Sequence, residues 1–420
     1  MEKLLVNKFT ELNMLKSHNL LKYVEKNNFN ISIWLNTFLK FKKIYNTKVE
    51  WLDCVKKENF SILKYNQKVI SNSPIIYNRK IKAENINLFL DVCIFKFENV
   101  LINTNSSSFF LLSQNKPTII IERVPQVNLC YSNYAAGFIK LHNSSNALIR
   151  LNQKIVELED ALFLGGNGCF NYYHWMIEII PKLFFLNNDL LIKYNIKCIL
   201  CDESAKNTPS FQTLLRLVLE YRGINLPIIY INKNTNIKIN KIFYINNFNN
   251  ILFNCKKILS QTNYSHLHPK SLYNLRKLLI NFADPHIQKN PKIFLARRQS
   301  RVRSYNQEEI LSFFEKEGFQ AIYLEDYSLE EQISIFYQAE FIVGPSGAAW
   351  SNLVFCQSGA KGISWLSEEL SNFSVFSTLA KIFNCDLKFI LSDDIETTGD
   401  IHSNYTIKLT HLISLYNSMK

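Results

Sequence analysis

No apolar stretch in this chain approaches the ~18 residues that a membrane-spanning helix needs. Lys and Glu recur through Met1 to Leu21, so the uninterrupted apolar core of a signal peptide is not expected there. Nine cysteines are scattered along the chain, and only Cys198 and Cys201 stand as C-x-x-C. With no second pair or histidine cluster to complete four ligands, a zinc site is not expected, and reduced thiols in a cytoplasm fit better. The phosphate-binding motifs are also incomplete. There is no Walker A sequence, and the pair Gly166 and Gly168 lacks the third glycine of the dinucleotide fingerprint, where Asn171 stands. A content of 47% hydrophobic and 20% charged residues excludes a disordered chain.

What the sequence has in excess is positive charge. Lys and Arg number 48 against 35 Asp and Glu, for a net charge of +13, which favours anionic partners. No nucleic-acid recognition motif accompanies that charge, so no nucleic-acid partner is expected. Nucleotide phosphates and anionic lipid headgroups remain, the latter through peripheral association with the inner face of a membrane. At 420 residues the chain is too long for one ordinary core, and two lobes plus an appendage are expected.

Residues 1–80 read as a helical N-terminal extension, from helical spacings such as Leu20, Leu21, Val24 and Ile33, Trp34, Leu35, Phe38. Across 81–268 the texture changes to short β-like runs: Asn87 to Leu90, Thr118 to Ile121, Ala161 to Leu164, Lys197 to Leu200 and Pro227 to Tyr230. Helical patterns at Tyr173 to Phe185 and Phe211 to Tyr221 lie between the later runs, which suggests an α/β lobe. Asn232 to Asn250, though rich in Asn and Lys, keeps a strand-like apolar pattern. Pro269 to Phe282 reads as a helix leading into a second lobe, 269–390, ended by Asp284-Pro285. There the strands Lys292 to Ala296, Gln320 to Leu324, Phe341 to Val343 and Gly362 to Leu366 are separated by single helices, two with capping boxes at Asn306/Glu309 and Ser328/Glu331. That alternation predicts a parallel, doubly wound sheet. Residues 391–420 are expected to pack back on the first lobe.

Ligands of such sheets bind beyond the carboxyl ends of the strands. Two candidate anion-binding elements fall at that edge. One is the turn Gly344-Pro345-Ser346-Gly347-Ala348-Ala349, whose small residues admit a ligand to the backbone at a helix start. The other is the loop Arg297 to Arg303, where Arg297, Arg298, Arg301 and Arg303 offer forked guanidinium groups. In the first lobe His174 and Glu178, four apart, share a helical face, and either is a candidate general base.

Four groups of residues together resemble glycosyltransferase family 61 in order and spacing. They are Asn171-Tyr172-Tyr173-His174-Trp175 with Glu178 and Pro181; Phe294 to Arg298 with Arg303, Asn306 and Glu309; Tyr327-Ser328-Leu329 with Glu331; and Gly344 to Ala348 with Asn352 and Phe355. The resemblance covers roughly residues 160–370. It implies a GT-B-like α/β fold, two Rossmann-like lobes facing a cleft, and inverting transfer from a nucleotide sugar, commonly UDP-linked, with no bound metal. The first lobe would take a glycan or glycolipid acceptor, with Asn171, Tyr173 and Trp175 on that side and His174 as base, Glu178 being the alternative. The second lobe would hold the donor: Arg297, Arg298, Arg303, Ser346, Gly347, Ala348, Ser351 and Asn352 around the diphosphate, and Glu325 or Glu331 at the nucleoside. No Asp-x-Asp element, the usual metal-holding motif of the other common transferase architecture, occurs in the sequence. Two positions depart from the family. Ser346 stands where a His is frequent, and Trp350 where a smaller aliphatic residue is common. The first departure motivates an alternative reading as a catalytically silent nucleotide- or carbohydrate-binding scaffold, and a CMP-sugar donor would suit the same phosphate site.

Overall fold

The computed structural model describes residues 44–79, 84–112, 117–123, 139–142, 145–152, 154–251, 265–284, 290–298, 303–394 and 404–420. The strands used below, in chain order, are β1 (Ile44–Trp51), β2 (Phe60–Asn72), β3 (Ile75–Ile76), β4 (Asn85–Ile102), β5 (Phe109–Leu111), β6 (Thr118–Ile121), β7 (Ile139–His142), β8 (Asn146–Arg150) and β9 (Lys154–Leu164). They continue with β10 (Cys198–Asp202), β11 (Ile228–Ile231), β12 (Thr235–Ile245), β13 (Asn250–Ile251), β14 (Ser265–His266), β15 (Lys292–Leu295), β16 (Gln320–Ile322), β17 (Phe341–Val343), β18 (Lys361–Leu366) and β19 (Asp386–Leu391). The α-helices used below are α1 (Pro209–Arg222), α2 (Pro269–Leu279), α3 (Gln307–Lys316), α4 (Leu329–Gln338), α5 (Val375–Ile382) and α6 (Leu409–Met419).

These elements form a mixed α/β protein built on two large sheets. The first has eleven strands in the order β11-β10-β9-β12-β4-β5-β6-β1-β8-β7, with β2 also paired to β4. Its central strands are apolar on both faces because alternate residues enter different cores. Leu162, Leu164, Ile199 and Cys201 face one buried cluster, whereas Ala161, Phe163, Cys198 and Leu200 face another. The C-x-x-C pair is thereby split between the two faces of β10, an arrangement that disposes it against joint metal binding.

The second sheet is wholly parallel, in the order β16-β15-β17-β18-β19-β3. Counted from β15, its first five strands run 2-1-3-4-5, a doubly wound order whose direction reverses between β15 and β17. One buried cluster contains residues of both sheets: Leu162 and Phe243 from the first, Ile293, Ile342 and Phe389 from the second, with Trp175, Leu214 and Leu275 from the helical segments.

Three organisational expectations change. The helical periodicity assigned to 1–80 rests on residues within 1–43, outside the described residues, whereas 44–79 are strand and short turns. In β1 burial alternates, with Thr47 and Val49 inside and Asn46 and Lys48 outside, the period of a strand. This segment also ties the sheets together. Strand β3 completes the second sheet beside β19, and Asn72 donates from its backbone to Thr378 Oγ1 of α5 at 2.9 Å.

The C-terminal segment packs on the second sheet, not on the first lobe. Leu412, Leu415, Tyr416 and Met419 of α6 close a core with Phe294, Phe314, Phe319 and Phe341, and Lys420 pairs with Glu317 at 2.6 Å. The same docking alters the expected Asn306 cap. Its side chain turns to Ile407, accepting from the backbone N–H at 2.9 Å and donating to the carbonyl at 3.0 Å, and leaves the α3 N-terminus uncapped by it. The Ser328/Glu331 box forms as expected on α4.

Candidate active site

At the switch point of the second sheet, β15 ends at Leu295 and β17 at Val343, and their following turns meet. The Arg297 backbone is fixed by Gln307, which accepts from its N–H at 2.7 Å and donates to its carbonyl at 2.8 Å. Its guanidinium then reaches across to donate to the Ser346 carbonyl. The lack of a side chain at Gly347 leaves room for this guanidinium, since a Cβ there would lie 2.7 Å from Arg297 Nη2 and push it aside. Ser346, Gly347 and Ala348 remain partly accessible beside this cation. The segment that follows, Ala348–Phe355, is a tight 3₁₀ helix. Trp350 anchors it from within, fully buried and donating from Nε1 to the Pro345 carbonyl at 3.0 Å.

Several residues assigned to the donor side have other engagements. Ser351 and Asn352 are completely buried. Asn352 accepts from the Tyr172 hydroxyl at 2.8 Å and donates to Gln332 at 3.3 Å, so it joins the turn to the Asn171–Trp175 motif and is not presented to a diphosphate. Arg298 is an exposed side chain held by Asp326 at 2.6 Å and Glu325 at 3.1 Å, which raises its already high pKa. Glu325 is thereby an ion-pair partner. Glu331 caps α4, accepting from the Ser328 N–H at 2.8 Å, so its carboxylate serves the helix start. Arg303 adopts a left-handed backbone, φ 57°, and Arg301 lies outside the described residues.

The second constellation follows β9. The loop from Gly165 turns through Gly168, φ 74°, and presses on the imidazole of His174; a Cβ at 168 would lie 2.4 Å from the ring. Gly168 therefore seats a histidine where a dinucleotide fingerprint would cradle phosphate. The helical segment opens as a wide turn, His174–Ile179, and tightens into a 3₁₀ stretch, Ile180–Phe185. Widened turns of this kind recur at functional sites. His174 Nδ1 lies 2.6 Å from Glu178 Oε2, and the other carboxylate oxygen accepts from the Ile251 N–H at 2.7 Å. Only 11% and 7% of the two side chains is accessible. With Glu178 ionised, and so able only to accept, Nδ1 carries the proton and Nε2 the lone pair. Glu178 also borders a recess of about 250 Å³, open mouth included, lined by Ser107, Gly166, Asn167, Asn247 and Asn250.

The acceptor-side assignments separate. Asn171 is exposed and accepts from the Tyr173 N–H at 2.9 Å, closing the turn that launches the helical segment. Tyr173 is buried edge-on to His174, with ring centroids 5.1 Å apart, and burial followed by the Glu178 charge raises its pKa far above the ordinary phenol. Trp175 belongs to the core. It is fully buried, stacked on Phe211 at 5.5 Å, and donates from Nε1 to the Phe211 carbonyl at 3.2 Å, because the helical turn points it away from the His174 side.

One charged residue went unread. Lys182 is 2% exposed with Nζ 4.4 Å from the Tyr244 ring centre. Its signal was available, as the lone cation in the apolar run Met176 to Phe185. No cluster of three or more potential metal ligands occurs among the described residues.

A doubly wound sheet with a cation and open backbone at its switch point is joined by Tyr172 to a histidine–carboxylate dyad, which makes this an α/β protein with its candidate site at the carboxyl edge of the sheet. Residues 172–363 match the family model described as Glycosyltransferase 61, a span that starts at Tyr172 and ends within β18. The segment belongs to glycosyltransferase family 61, and the protein is a glycosyltransferase. No curated protein matches the chain. A glycosyltransferase binds a donor sugar and an acceptor, and the two constellations are the candidates for those tasks. Among the described residues no helix is long and apolar enough to cross a membrane.

Proposed function

We propose that the protein moves a sugar from a nucleoside-diphosphate sugar, UDP-linked by preference, to a hydroxyl of a glycan or glycolipid, with inversion and without a metal ion, on a GT-B-like pair of lobes. The observation that carries this reading is the meeting of Arg297 with the Ser346–Gly347 turn at the sheet's switch point. A departing nucleotide needs its developing negative charge stabilised, and a pre-positioned guanidinium with nearby N–H donors does so without reorganising. Ser346 adds a hydroxyl donor where a cationic His is frequent in the family, which leaves Arg297 as the fixed positive charge of the turn.

On the acceptor side His174 Nε2 would take the proton of the attacking hydroxyl while Glu178 balances the imidazolium. A single direct displacement by that hydroxyl inverts the anomeric centre. The Tyr172–Asn352 hydrogen bond supports coupling between the two halves, since Tyr172 lies two residues before His174 and Asn352 lies in the segment that follows Ser346. The +13 charge supports a peripheral station at an anionic membrane surface on the cytoplasmic side, which flotation with and without acidic lipid would test.

Thermal unfolding with UDP, CMP, UDP-glucose, UDP-N-acetylglucosamine, UDP-galactose and UDP-xylose, each with and without EDTA, tests the donor assignment. A ligand that binds the folded state raises the midpoint. We expect a uridine-nucleotide shift that persists in EDTA and is lost in Arg297→Ala. A shift from CMP alone would transfer the assignment to CMP-sugars, and a shift abolished by EDTA would overturn metal independence.

A further inference from the structure

The dyad is backed by a second layer of charge that the proposed reaction does not use. Lys182 lies one helical turn beyond Glu178, in the same segment, with its ammonium sealed from solvent on the face of Tyr244. Among the described residues its Nζ has no hydrogen-bond acceptor. A buried ammonium without an acceptor is costly, so its retention calls for charges that hold it. Two carboxylates act on it: Glu178 of its own segment and Glu122, just past β6. Glu122 is fixed from the other side, where Tyr244 donates its hydroxyl at 2.7 Å and Asn247 donates both its backbone N–H and its side-chain amide at 2.7 Å. Asn247 in turn lines the recess that Glu178 borders. Burial lowers the Lys182 pKa and raises that of Glu122, while their mutual attraction opposes both shifts.

We propose that Lys182 is a positioning residue that keeps the Glu178 carboxylate aimed at His174 Nδ1, with Glu122 as the counter-charge that holds Lys182 itself. The inference rests on the reading of His174 as the base. In low dielectric a charge acts strongly over one helical turn. The Lys182 ammonium attracts the Glu178 carboxylate, whose bond to Nδ1 fixes the imidazole tautomer that leaves the lone pair on Nε2. The ammonium touches no substrate; its effect runs through Glu178.

The test has a substrate-free arm and a kinetic arm. In the free protein, the downfield proton resonance of the His174 Nδ1–H, assigned by its loss in His174→Ala, reports the 2.6 Å bond to Glu178. We expect that resonance to shift or broaden in Lys182→Met and to persist in Lys182→Arg. Kinetically, UDP release is followed from the UDP-sugar that stabilises the protein most in the thermal screen. Lys182→Met should lower kcat by about tenfold or more with donor KM unchanged, and move the acidic limb of the pH profile upward by about one unit, while Lys182→Arg restores the limb. An unmoved resonance and limb in folded Lys182→Met would overturn the proposal. If Lys182→Met does not fold, Lys182→Gln carries the same expectations. A folded Lys182→Arg whose resonance and limb are displaced would also overturn it. Full activity of His174→Ala would instead remove the base assignment, so the two failures are told apart.

Discussion

The two halves of the candidate site solve opposite electrostatic problems. At the edge of the second sheet, Arg297 and the Ser346–Gly347 turn are partly open to solvent, and in the proposed reading this cation meets a charge that arrives with the ligand. Around β9 and its following helical segment, His174, Glu178 and Lys182 are sealed in, and each charge meets another that the protein itself supplies. A cation at an open edge meets an anion with little desolvation. A dry interior makes a neighbouring charge act strongly on a base. The construction differs accordingly: the first half is assembled from the turns after two neighbouring strands of one sheet, β15 and β17, and the second draws on Glu122, Asn247, Tyr244 and Ile251 from distant parts of the chain.

The most direct way to break this contrast is His174→Ala. Transfer should fall by about 10²–10⁴-fold, the usual worth of a positioned general base, while the nucleotide-induced thermal shift stays. Full turnover would end the base assignment. Next comes Trp175→Ala, which should cost about 3–5 kcal/mol of folding stability, because a buried aromatic is removed from a stacked pair. A wild-type unfolding midpoint together with weakened acceptor use would return Trp175 to the acceptor side.

The donor edge is probed by Arg297→Ala, expected to weaken UDP binding by roughly 10–100-fold through loss of a charge-assisted contact, as read by calorimetry. Tyr172→Phe removes the 2.8 Å bond to Asn352. It should lower transfer by about fivefold with donor affinity held, which corresponds to one ordinary buried hydrogen bond. Arg298→Ala should do least, with UDP affinity within about twofold of wild type, since its guanidinium is an exposed partner of Asp326 and Glu325. A large loss there, with none at Arg297, would reverse the roles of the two arginines.

The second sheet was legible in the sequence for a physical reason. Parallel strands buried on both faces read as short apolar runs, and the helices between them carry local caps such as Ser328/Glu331. The antiparallel strands near the start were harder. Strands β2 and β4 pair through two register shifts, and half-exposed positions blur their alternation. Residue types at the site were readable, but their allegiances were not. Glu331 serves the capping box of α4, a local signal complete in the sequence, and not the nucleoside. Asn352 and Trp175 carry the family's motif yet serve packing, one as a hydrogen-bonded link and the other as core.

By itself the sequence determined the alternation of strand and helix, the turn chemistry at Gly344–Ala348, the His174/Glu178 spacing and the excess of positive charge. These are local properties, fixed by which residues follow one another within a few positions. Tertiary structure alone decided that Arg297 rather than Arg298 meets the turn, that Gly168 serves His174 rather than a phosphate, and that Glu122 stands behind Lys182. Each depends on which distant groups are desolvated together, and burial, which sets both the strength of a charge and the freedom of a side chain, belongs to the folded chain as a whole.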